Sequence, residues 1–229
     1  PARISDNPSL DREAYVESLQ ELDSVERARL LDGNWEVSEQ GGMFEEEWFE
    51  LVLETPDVSK MKKVRFWDLA ATAEVKGKNP DYTVGALVGL LEGRYYILDI
   101  QRMRGTPGEV QRKIEMTAEM DDDDVEICME QEPGASGVNT IDHYARNVLV
   151  GHIFKGIKSS GSKQERARVF SSACEMGNVK VRRDRWTKAL IDESVQFPKG
   201  SHDDQVDAVS GAINQLGAEV KKKKVRIIL

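Results

Sequence analysis

Apolar positions change their period along the chain, and the changes divide it. Through LDREAYVESLQELDSVERARLLDG, Tyr15, Leu19, Leu22, Leu30 and Leu31 recur among charges at helical spacing, and Gly33 suits a helix stop. Trp35, Phe44, Trp48 and Phe49 then fall close together with Gly41 and Gly42. That composition suits a strap lying on another surface, or ordinary packing aromatics. From Lys62 the period shortens. KKVRFWDLA reads as a strand, and YTVGALVGLLEG and RYYILDIQRMR read as two more, joined by the tight-turn pair Glu92-Gly93. Thr106-Pro107-Gly108-Glu109 has the form of a capping box with proline at the first helical position, opening a helix to about Met120. VEICME is a buried strand broken by Glu130-Gln131-Glu132-Pro133-Gly134, with a helix expected near 138–150. HIFKGI, the helix KQERARVFSSACEMG with Gly177 past its end, VKV, the helix WTKALIDESVQF and a last helix from SHDDQVDAVSGA complete the order. The fold class expected is α/β: a mixed sheet of five or more strands, antiparallel meander first and parallel strands later, flanked by helices.

Three segments follow: an acidic helical lead-in at 1–60, a core domain at 61–217 and a basic tail at 218–229 that ends KKKKVRIIL. The tail reads as a disordered arm or a docking peptide. The chain starts PARISDNPSL without methionine and reads as a piece of something longer. With 229 residues and 39% hydrophobic content it can build one substantial core. Apolar runs fall far short of a membrane span, and no secretory signal stands at the start. Cys128 and Cys174 fit neither a disulfide framework nor a CxxC metal site, which suits a reduced, cytosolic setting.

Charge sharpens the picture through its distribution. The net −9 lies in residues 1–63, where 16 acidic residues face 7 basic ones; residues 64–229 balance. Within them, residues 145–199 carry 12 Lys/Arg against 5 Asp/Glu, a local basic field that a phosphate backbone would feel, or simply a solvated basic surface. Lys158, Lys163 and Arg166 cluster there around the Ser/Gly loop SSGS, and Lys76 and Lys78 lie in the loop after the first strand. These five are the candidate contacts to such a phosphate backbone.

The candidate chemistry is carboxylate. Asp68 ends the first strand, Glu130 ends the fourth, and Asp203, Asp204 and Asp207 open the last helix. At 100° per residue the three aspartates share an arc of about 100°, beside the apolar stripe of Val206, Val209, Ile213 and Leu216. Were the first and fourth strands parallel neighbours, Asp68 and Glu130 would sit side by side, with the helix closing over them. Three or four carboxylates converging with no lysine or arginine between them repel, and hard divalent cations relieve that repulsion. Oxygen-only ligation suits Mg²⁺ or Mn²⁺, and two such ions can clamp a phosphodiester. Each piece also has a plainer account. Asp203 and Asp204 could serve the helix dipole, Ser201 could cap with Asp204 three residues on, and Asp68 could be a turn residue. Glu130 is harder to explain so, because apolar strands rarely end in a buried acid without a partner. His202 is either a polar neighbour at the helix start or an orienting group for a water or ligand.

As an ordered set, FWDLA, NPDYTVGALV, the strand with MEQEPGASG, GSKQERA and SHDDQVDAVSGA resemble the nuclease domain of large terminase subunits from tailed bacteriophages. The lead-in resembles the segment preceding that domain. The resemblance implies an RNase H-like fold and metal-dependent cleavage of concatemeric double-stranded viral DNA. Carried over by position, it implies Asp68, Glu130 and Asp204 as catalytic metal-binding acids. Asp203 would stand beside them, with Asp207 as an outer or water-mediated ligand. Glu132 rivals Glu130, and Asp81 also falls in the pattern, where turn geometry explains it as well. It further implies two Mg²⁺ or Mn²⁺ ions and double-stranded DNA. In a longer protein it implies an N-terminal packaging ATPase, a small terminase subunit and a portal. The setting would be the host bacterial cytoplasm, with no membrane and a monomeric isolated domain. No GxxxxGK[ST] occurs here, since the near miss Gly156 to Gly161 continues with Ser162, so this chain is not expected to hydrolyse ATP. Competing readings are a Holliday-junction resolvase, an integrase-like nuclease, or a non-catalytic module docking on a portal or motor.

Overall fold

The computed structural model describes residues 42–70 and 80–225, with side chains to residue 218. The expected helix in the lead-in, Lys76 and Lys78, and the last four residues lie outside these. Seven strands form one sheet among the described residues: β1 (Glu50–Val52), β2 (Lys62–Asp68), β3 (Thr83–Leu91), β4 (Arg94–Met103), β5 (Glu126–Gln131), β6 (Phe154–Lys158) and β7 (Val179–Arg182). Their spatial order is β1-β7-β4-β3-β2-β5-β6. β2, β3 and β4 form the antiparallel meander, and every other pairing is parallel. Five α-helices accompany it: α1 (Pro107–Met120), α2 (Ala135–His143), α3 (Lys163–Glu175), α4 (Thr187–Gln196) and α5 (Asp204–Val225). None of the described helices is long and apolar enough to cross a membrane.

Local chemistry accounts for most boundaries. Glu92 and Gly93 take φ of 50° and 80°, the paired positive values of a two-residue hairpin turn that matches strand twist. The Thr106 amide and hydroxyl both donate to the Glu109 carboxylate at the start of α1. Ser162 and Glu165 do the same at α3. Gly177 follows α3 with φ of 69°, and its amide donates to the Cys174 carbonyl.

Two details depart from the sequence expectation, and a third decides between two readings of it. The helix placed near 138–150 is instead α2 followed by a π-helical stretch, Tyr144–Val148. β1 was not anticipated: three residues are too few to show alternation, and its place comes from parallel pairing with β7. Phe44 and Phe49, read as a strap or as packing aromatics, are buried against Phe170, with Phe197 also on Phe44. Residues around the 60/61 boundary thus share one sheet and core, and α5 runs unbroken across 217/218 to Val225.

The two faces of the sheet carry different layers. Val64 and Phe66 of β2 and Cys128 of β5 point into the main core with Ala167 and Phe170 of α3 and Val206, Val209 and Ile213 of α5. Trp67, Ile127 and Met129 point the other way, under Ile114 and Ala118 of α1 and Tyr144 and Val148. By this alternation Asp68 and Glu130 both belong to the α3/α5 face.

Helix α5 lies unusually close to β2. A Cβ placed on Gly211 would come within 2.5 Å of the buried Phe66 ring. We expect Gly211→Ala to be destabilising by up to about 2 kcal/mol net, because overpacking of up to about 3 kcal/mol outweighs a helix-propensity gain of about 1 kcal/mol. Urea denaturation checks this; equal or greater stability would show that α5 can slide without loss.

Candidate metal centre

The register of the sheet brings the first acids together. β2 and β5 are parallel, with Trp67 opposite Met129, so Asp68 and Glu130 follow at the same edge one position later. β5 continues through Gln131, so Glu130 is the penultimate strand residue rather than the last. Glu130 accepts a short hydrogen bond from the Ser159 hydroxyl, just past β6. Asp204 and Asp207 come from the first turn of α5, and both are buried. Asp203 immediately precedes the helix and is half-buried.

These aspartates are not there to start the helix. Glu193 of α4 accepts from the amides of Gln205 and Val206, at 2.6 and 3.3 Å, and from the Gln205 side chain at 2.7 Å. A neighbouring helix therefore supplies the cap, in place of Ser201 or the aspartates. Asp204 instead accepts from the Tyr82 amide at 3.1 Å, which ties α5 to the segment entering β3.

Electrostatics follow from the packing. Asp68 keeps a partial opening at the end of its strand, yet burial pushes its carboxyl well above the ordinary carboxylate range. The charges of Glu130, Asp207 and Asp204 push it further. Burial raises Asp204 to about 6, with Asp81, Glu193 and Asp203 adding and the Tyr82 amide opposing. Burial also raises Asp207, opposed by Lys163 and Arg166. Glu130 is among the leading charges acting on Asp68, and Glu132 lies exposed past the strand end.

The sequence reading pictured carboxylates with no cation between them, and here the structure differs. Lys163 Nζ lies 2.6 Å from Asp203 and 3.1 Å from Asp207, and Arg166 lies 3.2 Å from Asp207 and 4.0 Å from Glu130. Two of the residues expected to meet DNA thus sit among the acids. Lys158 ends β6, exposed, beside a cleft of about 440 Å³ that also reaches Glu130 and Asp207.

On the other side of Asp204 stands a group that sequence reasoning did not assemble. Tyr82 is flanked by the guanidiniums of Arg102 and Arg104, 3.8 and 3.7 Å from its ring centroid. Arg102 pairs with Glu193 at 3.3 Å, and Arg104 reaches His202 at 3.4 Å. His202 Nδ1 lies 3.6 Å from Asp204 and 3.8 Å from Asp81, and one ligand atom from each of these three residues falls within 4.8 Å of the others. The sequence singles out Asp81 and His202 separately, but it signals the two arginines only by their spacing, which puts both on one face of an extended chain.

A family model described as a terminase RNaseH-like domain matches residues 65–216. No curated protein matches the chain significantly. Among solved structures, the large terminase of the thermophilic bacteriophage D6E matches with a TM-score of 0.64 at 16% identity, over 93% of this chain and 54% of that one. The chain thus spans about half the length of that protein, which is also known in complex with ADP. The large terminase nuclease of the thermophilic phage G20c matches with a TM-score of 0.54 at 18% identity, over 77% of this chain and 99% of that one. That nuclease is known with bound zinc, magnesium or cobalt. At such identities the likeness shows the fold, which is RNase H-like.

Proposed function

The chain belongs to the terminase RNaseH-like domain family, and from that premise we propose that it is a divalent-metal-dependent endonuclease acting on double-stranded viral DNA during packaging. The observation that carries the reading is the convergence of Asp68, Glu130, Asp204 and Asp207 at one end of the sheet, where burial first and the neighbouring charges next raise the Asp68 carboxyl. The donor set fits hard divalent cations: it offers carboxylate oxygens, lies partly out of water, and is strained by mutual repulsion. Asp68, Glu130 and Asp204 would hold the ions, with Asp207 behind them and Asp203 at the rim. Two bound Mg²⁺ or Mn²⁺ ions would supply activation of water and charge neutralisation at the leaving oxygen.

The remaining work falls to the chain's own groups. Ser159 orients Glu130, and the Tyr82 amide orients Asp204. Lys158 would contact the DNA backbone beside the cleft, as would Lys76 and Lys78, which lie outside the described residues. The G20c nuclease, whose bound ions vary, supports a site tolerant of several divalent metals. The larger D6E protein and its ADP complex support a packaging ATPase joined to this domain in a longer protein; a small subunit, a portal and the host cytoplasm complete the proposal.

The test is direct. Supercoiled plasmid incubated with the chain and Mn²⁺ or Mg²⁺ is expected to be nicked and linearised, and a chelator is expected to stop it. Intact plasmid in both ions would overturn the proposal and favour a module that binds without cutting.

A further inference from the structure

Positive charge at the start of a helix opposes the backbone dipole, and acidic residues are usually preferred there. Helix α3 begins with Lys163 and places Arg166 one turn on. The helix does not need either to begin, because Ser162 and Glu165 cap it. Both cations instead reach across to α5. The Lys163 ammonium bridges Asp203 Oδ1 at 2.6 Å and Asp207 Oδ2 at 3.1 Å. Arg166 Nη2 lies 3.2 Å from Asp207 Oδ1 and 4.0 Å from Glu130 Oε1.

The acids explain why. The Asp207 side chain is only 3% exposed, and a carboxylate so far from water needs countercharge or a metal. The two cations differ in how firmly they are set. Arg166 is 21% exposed, and its carbonyl accepts from Asn214 of α5, which pins the backbone there. Lys163 is 52% exposed, on a flexible stem at the first position of its helix, next to the Ser160-Gly161 loop. Gly161 has φ of 76°, a conformation that suits glycine, and opens onto the cleft with Lys158 and Ser160.

We infer that Lys163 is a displaceable countercharge: its ammonium neutralises Asp203 and Asp207 until a divalent cation binds among the acids, and it then turns to a DNA phosphate while Arg166 stays on Asp207. The inference rests on the metal-dependent reading above. It couples ion loading to DNA engagement, since ion binding frees the Lys163 ammonium at the cleft rim. Lys163 is a positioning residue in this scheme, so its signature is in binding rather than in turnover.

The test is a calorimetric titration of Mn²⁺ into the chain and into Lys163→Met and Lys163→Arg. Removing a partly exposed competitor paired to two acids should tighten Mn²⁺ binding about 3–10-fold in Lys163→Met, while Lys163→Arg should stay near the parent value. Without metal, Lys163→Met should melt earlier, and Mn²⁺ should raise its melting temperature more than it raises the parent's. Its affinity for a short duplex should fall mainly when Ca²⁺ or Mn²⁺ is present. Should the methionine variant misfold, Lys163→Gln carries the same expectations. Unchanged or weaker Mn²⁺ binding in the neutral variant would overturn the countercharge role alone. So would an equal loss of duplex affinity with and without metal. A parent chain that takes up no Mn²⁺ would remove the metal-dependent reading, and this inference with it.

Discussion

Asp68→Asn is expected to lower plasmid cleavage by on the order of 10²–10³-fold or more, the scale set by losing one preorganised charge at a reacting phosphate, while making the protein more stable at neutral pH. Both effects come from one position. Asp68 ends the strand at the centre of the acid cluster, and asparagine keeps its shape but not its charge. Its folded carboxyl is raised above its ordinary value near 3.8, first by burial and then by Glu130, Asp207 and Asp204. A group raised in this direction leaves stability fully present below the unfolded value, and that stability is lost as pH rises through the folded value. Asp204, raised to about 6, adds a loss between roughly pH 4 and 6. Without metal the parent should therefore melt progressively earlier from pH 4 to pH 7, and Asp68→Asn should melt later than the parent at pH 7 with a flatter profile. The stabilisation by Mn²⁺ should shrink in the variant. Full cleavage by Asp68→Asn would remove Asp68 from the mechanism; a variant less stable than the parent at pH 7 would show that the charge is already compensated.

The second large effect lies on the opposite face of the same strand. Arg65 is 2% exposed, and its guanidinium forms a two-point pair with Asp121 at 2.8 and 2.7 Å. A further bond reaches Asp99 at 2.8 Å, and another reaches the Gly85 carbonyl at 3.2 Å. The contacts tie β2 to β4 and to the end of α1. Arg65→Met is expected to cost about 3–5 kcal/mol, because it leaves two acids facing each other with their shared cation gone. Adding Asp99→Asn and Asp121→Asn should recover part of that loss, since the penalty is mostly uncompensated charge. Chemical denaturation of the single and triple variants measures both. A single variant within 1 kcal/mol of the parent, or a triple variant no better than the single, would contradict this account.

What could be read from sequence were features with a local signature. The Glu92-Gly93 turn, the Thr106 and Glu109 pair and the Gly177 stop are written within a few residues, and the structure shows each. The short β-rich and apolar runs KKVRFWD and VEICME sufficed to suggest two strands, and supposing them parallel neighbours put Asp68 beside Glu130, a pairing the register shows. What stayed hidden depends on distant residues. Glu193 capping α5, the stacking of Arg102 and Arg104 on Tyr82, and the engagement of Lys163 and Arg166 by acids are tertiary contacts with no periodic trace. Those two cations looked like free basic surface because sequence does not say which acid a cation will find. β1 escaped for a related reason: only the neighbouring β7 makes Glu50–Val52 a strand.

The anchoring of α5 by Glu193 separates scaffolding from chemistry at the point where the two are most often entangled. The side chains of Asp203, Asp204 and Asp207 do not supply that cap, so the first turn of α5 does not depend on them to accept its free amides. On the proposed metal-dependent reading, an engineer could retune ion preference at these side chains while the Glu193 anchor stays in place.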